Sequence, residues 1–444
     1  MKTEAFAVPL GPKLESVIAT IQRMGAQPIL VGGFVRDWLL NRPSKDYDFE
    51  IHGMSLAKLE EILGQFGEVL RVGKAFGVLR VRGFDVDFSL PRKDNKVGAG
   101  HRGFEIEVDP FLPFKEAAKR RDLTINSIGL NPITGKLYDP YNGQEDIKAR
   151  ILRPTDPQHF SEDPLRGIRA AQFAARLNMN AHPDLISVCQ SLDLSELPSE
   201  RIWTELEKLF LKGETPSLGY QLLKDTGLFK FFPRLGTVLT SMTEQEWTHW
   251  LAKQDRAIKF RPKDPTHAMA WMLWAMILPL QSQESHDSTL SAPLRVEHWG
   301  GEALEELLQR LRPPKVVQIK AKLFGYLCEF VGHLSPNNSA VPALRRCTRI
   351  AGEHGHTFQQ ILDARHIQSP NSSETLKGLG QWAQTHQLLH HYEPAIITGQ
   401  HLMKKGLKPG KHFAHWLDKC LQYQDRTGEK DPEKILGAVL TSND

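Results

Sequence analysis

The chain has 444 residues, more than one ordinary domain holds, and this length predicts two to four domains. Its hydrophobic fraction of 40% and charged fraction of 24% are those of a soluble globular protein. A net charge of only +4 excludes an extreme polycation, so a nucleic-acid partner would have to be bound by local basic patches.

Cysteine usage and hydropathy restrict the compartment. The four cysteines lie far apart with no CxxC spacing, which argues against a zinc site and a disulfide framework and favours a reducing cytosol. Residues 1–9 lack the charged and apolar regions of a signal peptide. The apolar run at 271–280 is too short to span a bilayer and predicts a buried helix. We therefore expect a cytoplasmic protein with no membrane partner.

Strand and helix signals alternate over the first 147 residues and then give way to helix alone. Apolar periodicity predicts helices at 17–24 and 56–66, and strands at 28–31, 47–51, 77–81, 84–90 and 137–139. Later segments such as 164–176 and 199–211 have helical periodicity, and the polar stretch 281–293 predicts a loop. The fold class predicted is α+β multidomain, a mixed sheet with helices followed by an all-helical remainder.

The most informative pattern lies between residues 30 and 50, where a Gly32-Gly33 turn opens a short helix and Asp46 and Asp48 follow on a predicted strand. Alternate strand residues point to one face, so the two carboxylates can lie together. Close carboxylates repel unless a cation separates them, and oxygen ligands with room for phosphate oxygens suit Mg²⁺. The glycines let the backbone approach a triphosphate, whose charge a helix N-terminus favours. The pattern predicts metal-dependent nucleotidyl transfer.

Alone, a Gly-Gly pair is usually a turn and Asp-X-Asp usually a solvated loop, whereas their order within about twenty residues is specific. This order resembles the DNA polymerase β-like nucleotidyltransferase superfamily. The fuller string resembles its class II tRNA nucleotidyltransferases (CCA-adding enzymes) and their poly(A) polymerase relatives. The resemblance implies a nucleotidyltransferase head, or palm, then an all-helical neck with base recognition, a body, and a tail that binds tRNA, over residues 1–147, 148–213, 214–330 and 331–444.

A third carboxylate is expected on the strand at 84–90, because two-metal nucleotidyl transfer commonly needs one near the attacking hydroxyl. Asp85 and Asp87 share one face of this strand. In the resembling family the acidic residue stands five positions before an arginine, which selects Asp87 ahead of Arg92 and leaves Asp85 as a possible substitute. The resemblance thus implies that Asp46, Asp48 and Asp87 are catalytic, with Asp46 and Asp48 holding Mg²⁺.

Residues 93–103 are charged and rich in glycine without a core-facing pattern, and this composition predicts a mobile loop. In the resembling enzymes a flexible loop here helps the active site move from adding C to adding A. Its length here matches the full version of that loop.

Three adjacent cations begin the string Lys119-Arg120-Arg121-Asp122, which continues to Asn126. Such a cluster is costly without an anion to receive it, and a triphosphate would do so. A bare basic triplet would be a solvated helix start, but the Arg-Arg-Asp-X-X-X-Asn order favours the family. By resemblance Arg121, with Gly32, Gly33 and Arg36, binds the nucleotide phosphates, while Asp122 and Asn126 orient the arginine or the sugar.

The helix start Glu162-Asp163-Pro164-Leu165-Arg166 matches the segment that selects the base in this family. Asp163, Arg166 and Arg169 fall at i, i+3 and i+6, close to one face, and Ser161 or a neighbour can cap the helix. A carboxylate accepts from the exocyclic amine of C or A, and a guanidinium donates to their ring acceptors. Without the motif, such residues would indicate a salt-bridged surface. Many family members have an arginine where this chain has Gln172.

The resemblance implies template-independent addition of CCA to the 3′ end of tRNA from CTP and ATP, with release of pyrophosphate. The expected partners are tRNA, bound at its acceptor stem and elbow, with CTP and ATP, and neither DNA nor a membrane. Glycine-rich turns and lysines at 397–411 suit contact with phosphates, or form an ordinary helical hairpin. Alternatives are partial CC or A addition, a poly(A) polymerase, and an RNA-binding protein without activity.

Overall fold

A computed structural model describes residues 8–72, 77–96, 104–281, 301–332, 334, 341–368 and 373–441 of the chain. The residues divide into two units, Met1–Phe231 and Phe232–Asp444. This boundary is a finding about packing, and the finer division into head, neck, body and tail stays a prediction.

A seven-stranded sheet forms the centre of the first unit. Its strands follow the order β3-β4-β5-β2-β1-β8-β9, in which β2 and β5 are parallel and the other neighbours are antiparallel. Their bounds are Gln27–Val31 (β1), Tyr47–His52 (β2), Val69–Val72 (β3), Val78–Val81 (β4), Val86–Ser89 (β5), Gly129–Leu130 (β8) and Leu137–Tyr138 (β9). Two small two-stranded sheets pair Arg92–Lys96 (β6) with Phe104–Val108 (β7), and Ile151–Leu152 (β10) with Asn180–Ala181 (β11).

Ten α-helices accompany these strands in the described part of the first unit. They are Pro12–Arg23 (α1), Gly33–Leu39 (α2), Leu56–Leu63 (α3), Phe114–Lys119 (α4), Gly143–Ala149 (α5), Pro157–Ser161 (α6), Leu165–Leu177 (α7), Pro183–Gln190 (α8), Ser199–Lys212 (α9) and Pro216–Asp225 (α10). Short 3₁₀ turns occupy Thr124–Asn126 and Leu228–Phe231. Helix α1 packs on β1 and α3 through the apolar positions that its sequence repeats, Leu14, Val17, Ile18 and Ile21.

Helix α7 has a fixed place because it packs against both α9 and α10. A Cβ atom on Gly219 of α10 would lie 2.6 Å from the carbonyl oxygen of Ala171, so glycine is what allows the two helices to approach this closely. Helix α7 also carries Arg166 and Arg169. The close packing therefore sets the position of predicted site residues.

The second unit is helical throughout the residues that the structure describes. Its helices are Leu235–Ser241 (α11), Glu244–Lys259 (α12), Pro265–Ile277 (α13), Gly301–Leu311 (α14), Lys315–Gly332 (α15), Val341–Glu353 (α16), Phe358–Gln368 (α17), Ser373–Thr385 (α18), Gly399–Lys404 (α19), Lys411–Thr427 (α20) and Pro432–Leu440 (α21). Residues 268–277 of α13 are all buried, which confirms the buried helix predicted from the apolar run. No helix among the described residues is long and apolar enough to cross a membrane.

The loop prediction for residues 93–103 is wrong at its start. Residues 93–96 belong to β6, whose partner is β7, because a polar strand such as β6 can be held by its ladder of backbone hydrogen bonds without apolar alternation of its own. The rest of that predicted loop, 97–103, lies outside the described residues, as does nearly all of the predicted loop at 281–293. The mixed sheet followed by helices is confirmed.

All four cysteines are buried and unpaired. Cys189 lies in the first unit, while Cys328, Cys347 and Cys420 lie in the second. Burial raises the pKa of the Cys189 and Cys347 thiols to about 12, and it raises the pKa of the Cys328 and Cys420 thiols as well.

The stability of the second unit is expected to fall in mild acid because of His356. This side chain is 3% exposed, and its ring centroid lies 4.1 Å from that of Phe324. Burial, then the positive charges of His267, Lys320 and His354, lower its pKa to about 3. The unfolded chain binds a proton below its ordinary pKa of 6.5 while the folded chain stays neutral, so stability falls by about 1.4 kcal/mol per pH unit between pH 6.5 and 3.

The measurement is the free energy of unfolding in denaturant between pH 7 and 4, for the natural chain and for His356→Phe. We expect the variant to have the shallower dependence, because the phenylalanine ring keeps the contact and cannot bind a proton. The exposed His249→Gln variant is the control and should follow the natural chain. Equal slopes for His356→Phe and the natural chain would contradict the prediction.

Candidate active site

A cavity of about 540 Å³ opens in the first unit, and its wall is mostly charged. Nine of the ten predicted site residues line it: Gly32, Gly33, Arg36, Asp46, Asp48, Arg121, Asp163, Arg166 and Arg169. The turn after β1 with helix α2, the start of β2, the residues after α4 and the start of α7 bring them together. The tenth, Asp87, does not line the cavity and stands beside Asp48 in the register of β5 with β2.

Gly32 forms the floor of the cavity between the acidic and basic groups. Its backbone has φ +72°, in the left-handed region, and a Cβ atom there would lie 3.3 Å from Arg121 Nη1 and 3.7 Å from Asp48 Oδ2. Glycine therefore allows the backbone conformation of the turn and leaves the space between Arg121 and Asp48 open. The predicted Gly-Gly turn and helix start are confirmed, since α2 begins at Gly33.

The carboxylates of Asp48 and Asp87 interact strongly enough to affect protonation. Burial, then the charge of Asp87, raises the pKa of Asp48, and the charge of Asp46 adds to this while Arg121 opposes it. Asp87 is also bonded to Arg80, whose Nε donates to its Oδ1 over 2.7 Å. Asp85 precedes β5 and is exposed, whereas Asp87 lies in β5 beside Asp48, so the structure favours Asp87 over it.

A cation fits this set of donors. Crowding of three carboxylates raises the energy of the ionised form of Asp48, and a divalent ion would relieve that cost. Asp46 and Asp48 are the candidate ligands that line the cavity, and their oxygens are of the kind that Mg²⁺ prefers. Among the described residues, no group of three or more His, Cys, Asp or Glu side chains could hold a metal ion by itself.

Glu50 is buried beneath the basic wall and neutralises it. Its Oε2 lies 3.4 Å from Arg120 Nη2 and 3.7 Å from Arg121 Nη2, while its Oε1 lies 3.0 Å from His52 Nε2. Burial alone would raise the pKa of Glu50, but the hydrogen bond to His52 and the charges of Arg121 and Arg120 hold it at about 2. Glu50 is therefore ionised at neutral pH and fixes two arginines at the cavity.

A chain of hydrogen bonds joins the glycine turn to helix α7. Arg36 Nη1 donates to Asn126 Oδ1 over 2.7 Å, and Asn126 Nδ2 donates to Asp122 Oδ1 over 2.8 Å. The other carboxylate oxygen of Asp122 lies 2.6 Å from Arg169 Nε. Arg36 Nε donates to Asp37 as well, over 2.8 Å, and the side chain of Arg36 is only 4% exposed. Arg36 thus holds the cavity wall together, with most of its donors already used.

The residues expected to select the base are also held by protein groups. Asp163 Oδ1 accepts from the backbone N–H of Leu165, while Arg201 Nη2 donates to Asp163 Oδ2 over 2.8 Å. The expected cap at Ser161 is wrong, because Ser161 ends α6 and the N-cap residue of α7 is Pro164. Arg166 donates to two carbonyl oxygens, those of His159 at 2.6 Å and Arg120 at 2.7 Å. The Asp163 carboxylate and the Arg166 guanidinium are therefore fixed before any nucleotide binds.

Comparisons with known proteins assign the first half of the chain. Residues 29–153 match the family model described as the poly A polymerase head domain. This part of the chain is therefore similar in sequence to that head domain. Residues 188–237 match the model described as a probable RNA- and SrmB-binding site of polymerase A. The family resemblance read from the motifs is confirmed for this half, with the Gly32 turn, the two carboxylates and Arg121 all inside the head domain.

Named relatives cover the head domain and the helices that follow it. The multifunctional CCA protein of Nitrosococcus oceani is 38% identical over 212 residues, which are 46% of this chain and 50% of that relative. The multifunctional CCA protein of Mannheimia succiniciproducens is 39% identical over 217 residues, 47% of this chain and 50% of the relative. The chain thus spans about half the length of these relatives.

Solved structures extend the likeness in fold to the whole chain. The CCA-adding enzyme of Bacillus stearothermophilus in complex with CTP aligns with a TM-score of 0.64 and 21% identity, over 98% of this chain and 97% of that one. The CCA-adding enzyme of Thermotoga maritima complexed with tRNA aligns with a TM-score of 0.60 and 20% identity, over 97% and 96%. The head domain and the helices after it therefore share the fold of these enzymes.

Several residues of the site, in addition to those in the motifs, were not predicted. They are Glu50, Asp37, Phe173, Arg176 and Arg201, of which all but Glu50 line the cavity. Glu50 had one available signal, since it repeats the i+2 spacing of Asp46 and Asp48 on the same strand. Arg176 and Arg201 have partners far away in the sequence, and the near contacts of Asp37 with Arg36 and of Phe173 with Arg169 match no motif.

Proposed function

We propose that this chain is a CCA-adding tRNA nucleotidyltransferase of the cytoplasm. It would extend the 3′ end of tRNA with CTP and ATP and release pyrophosphate, without a nucleic-acid template. The observation that carries the proposal is one cavity with three successive regions: carboxylates at Asp46 and Asp48, a basic wall around Arg121, and the fixed pair Asp163 and Arg166. The names of the relatives support the same activity, and four buried free cysteines suit a reducing compartment.

Asp46 and Asp48 would hold Mg²⁺, with Asp87 beside Asp48 helping to orient it. When bound, Mg²⁺ would favour ionisation of the tRNA 3′ hydroxyl and offset the charge of the phosphates. The hydroxyl oxygen attacks the α-phosphorus of CTP or ATP, the bond to the β-phosphate oxygen breaks, and pyrophosphate leaves. Arg80, on the neighbouring strand β4, donates to Asp87 Oδ1 and so holds that carboxylate in place.

The triphosphate would lie across the Gly32-Gly33 turn against Arg121. A Cβ atom on Gly32 would lie 3.3 Å from Arg121 Nη1 and would fill the space in front of the guanidinium. Because residue 32 is glycine, phosphate oxygens can reach both the guanidinium and the backbone. Glu50, which forms ion pairs with both Arg120 and Arg121, keeps Arg121 in place from below. Arg36 would act mainly by holding Asn126 and the turn, because its donors already bond to Asp37 and Asn126.

Asp163 and Arg166 would read the base. The carboxylate accepts from the exocyclic amine of C or A, and the guanidinium donates to their ring acceptors, whereas U and G present the wrong groups. Because Arg201 and two backbone carbonyls fix this pair, little ordering is needed when the nucleotide binds. The helices after the neck would bind tRNA by shape and phosphates.

A poly(A) polymerase is the second candidate, because both matching family models carry that name. Partial enzymes that add only CC or only A share the same cavity. All of these differ in their products, which makes the products the test.

The test is single-nucleotide extension by the purified chain with Mg²⁺. The substrates are tRNA ending before CCA, after C and after CC, with CTP, ATP or both. We expect growth by three residues and then a stop. A stop after CC, or addition of the final A only, would assign a partial enzyme, and a long ladder with ATP alone on any RNA would assign a poly(A) polymerase. No extension of any RNA would contradict the proposal.

A further inference from the structure

Phe173 is the one aromatic side chain that lines the cavity among the described residues. It lies on α7, one residue after Gln172, and is 4% exposed. Two guanidinium groups lie over its ring: the Cζ of Arg36 is 5.0 Å from the ring centroid and the Cζ of Arg169 is 5.3 Å from it. Both distances are within the range in which a cation is attracted by the electron density of an aromatic face.

The same two arginines are also joined through hydrogen bonds. Asn126 accepts from Arg36 and donates to Asp122, and Asp122 is bonded to Arg169. Phe173 closes this chain into a ring of contacts. The hydrogen bonds hold each guanidinium within its plane, and the phenyl ring holds it from the face. Two like charges that would otherwise separate are thereby kept close together.

The two arginines differ in exposure, which indicates what the ring of contacts does. The side chain of Arg36 is 4% exposed, whereas that of Arg169 is 42% exposed. One arginine is an anchor inside the protein and the other reaches into the cavity. The Phe173 ring thus connects the two: through it, the buried Arg36 at the glycine turn sets the position of the exposed Arg169 on α7.

We propose that Phe173 is a positioning residue that holds the Arg36 and Arg169 guanidinium groups for a bound nucleoside triphosphate. The inference rests on the proposed function for the identity of that ligand. Phe173 itself touches no reacting atom. It acts through electrostatic attraction of its ring, so its effect should follow the electron density of the ring and not only its volume.

The experiment replaces Phe173 in the full chain with mono-, di- and trifluorinated phenylalanine, which keep the shape of the ring and weaken its attraction for cations stepwise. The dissociation constant for CTP with Mg²⁺ is measured by calorimetry in the absence of tRNA. We expect it to rise with each fluorine and to reach about tenfold for the trifluorinated ring. With tRNA present, KM for CTP should rise in parallel while kcat changes little.

Two further variants separate positioning from packing. Phe173→Leu keeps an apolar side chain without a ring, and we expect CTP binding at least as weak as with the trifluorinated ring. Phe160→Leu, a fully buried phenylalanine that does not line the cavity, is the matched control and should bind CTP as the natural chain does. The thermal midpoint of each variant reports its folding.

The outcomes distinguish this inference from the proposed function. Equal CTP binding across the fluorinated series overturns the inference, even if Phe173→Leu binds weakly, because the ring would then only fill space. A natural chain that binds CTP but extends no RNA overturns the proposed function and leaves the binding series as the test of Phe173. A natural chain that binds no CTP overturns both.

Discussion

Replacing Asp48 with asparagine is expected to abolish nucleotide addition and, at the same time, to stabilise the folded chain. The loss of activity should be about 10³-fold or more, as for other groups that act on the reacting atoms. The gain in stability follows from the raised pKa of Asp48, which burial and the charges of Asp87 and Asp46 produce. The folded chain disfavours the ionised carboxylate, so at neutral pH an uncharged amide removes a repulsion.

The measurement pairs extension of tRNA with thermal unfolding, each with and without Mg²⁺. Mg²⁺ should raise the unfolding midpoint of the natural chain more than that of Asp48→Asn, because the variant lacks one of the proposed ligands. Asp85→Asn removes the same charge from an exposed position that does not line the cavity, and it should change neither activity nor stability. An active Asp48→Asn enzyme, or one that is less stable than the natural chain, would contradict the prediction.

Replacing Glu50 with glutamine is expected to lower the free energy of unfolding by about 3 kcal/mol at pH 7. The pKa of Glu50 falls from its ordinary 4.5 to about 2, and this difference corresponds to a stabilisation of that size. The stabilisation is fully present above pH 4.5 and is lost as the pH falls from 4.5 toward 2. Glutamine also leaves Arg120 and Arg121 buried without their shared anion, a loss that commonly costs several kcal/mol.

The test is denaturant unfolding of the natural chain and Glu50→Gln at pH 7, 5 and 3, where the difference between the two should shrink only at the lowest pH. Glu61→Gln is the control, because Glu61 forms an exposed ion pair with Lys58 that contributes about 1 kcal/mol or less. We also expect weaker binding of CTP by Glu50→Gln, since Arg121 would no longer be held. A stability change as small as that of the control would show that Glu50 is not the counter-ion described.

The part of the site that the sequence predicted is the part encoded by short motifs. The Gly32 turn, Asp46 and Asp48 lie within one hairpin-sized segment, where strand alternation and glycine geometry act over a few residues. Five of the nine predicted residues that line the cavity lie in this segment, whereas Arg121, Asp163, Arg166 and Arg169 were predicted from the family resemblance of their own motifs. The tenth, Asp87, reaches Asp48 through the register of β5 with β2, which the shared strand face alone could not establish.

The contacts that hold these residues could not be predicted, because they cross long stretches of chain. Arg201 reaches Asp163 from 38 residues away. The resemblance implied that Asn126 orients the arginine or the sugar, but not that it accepts from Arg36, 90 residues away. Phe173 occupies an apolar position of an amphipathic helix, where packing is the ordinary explanation. Only the close packing of α7 on α10 and α9 turns that position into a platform for two arginines.

In the fold, apolar alternation located the central strands but not the polar ones. The strand at β5 and the helix α9 follow clear periodicity, and both were predicted within a few residues. The first strand of the β6–β7 ribbon, Arg92–Lys96, has charged residues at most positions, whereas its second strand, Phe104–Val108, alternates apolar and charged residues and was missed all the same. Backbone pairing, which is nearly independent of side-chain type, forms the ribbon.

The four buried cysteines allow the opening of the folded chain to be measured by alkylation. Alkylating reagents attack the thiolate, and in the folded chain every thiol is both covered and held protonated. Alkylation of Cys189 therefore reports when the first unit, which carries the cavity, opens. Alkylation of the other three cysteines reports when the helical second unit opens. Because each unit has its own cysteines, the opening rates of the two units can be measured separately in one sample of the natural chain.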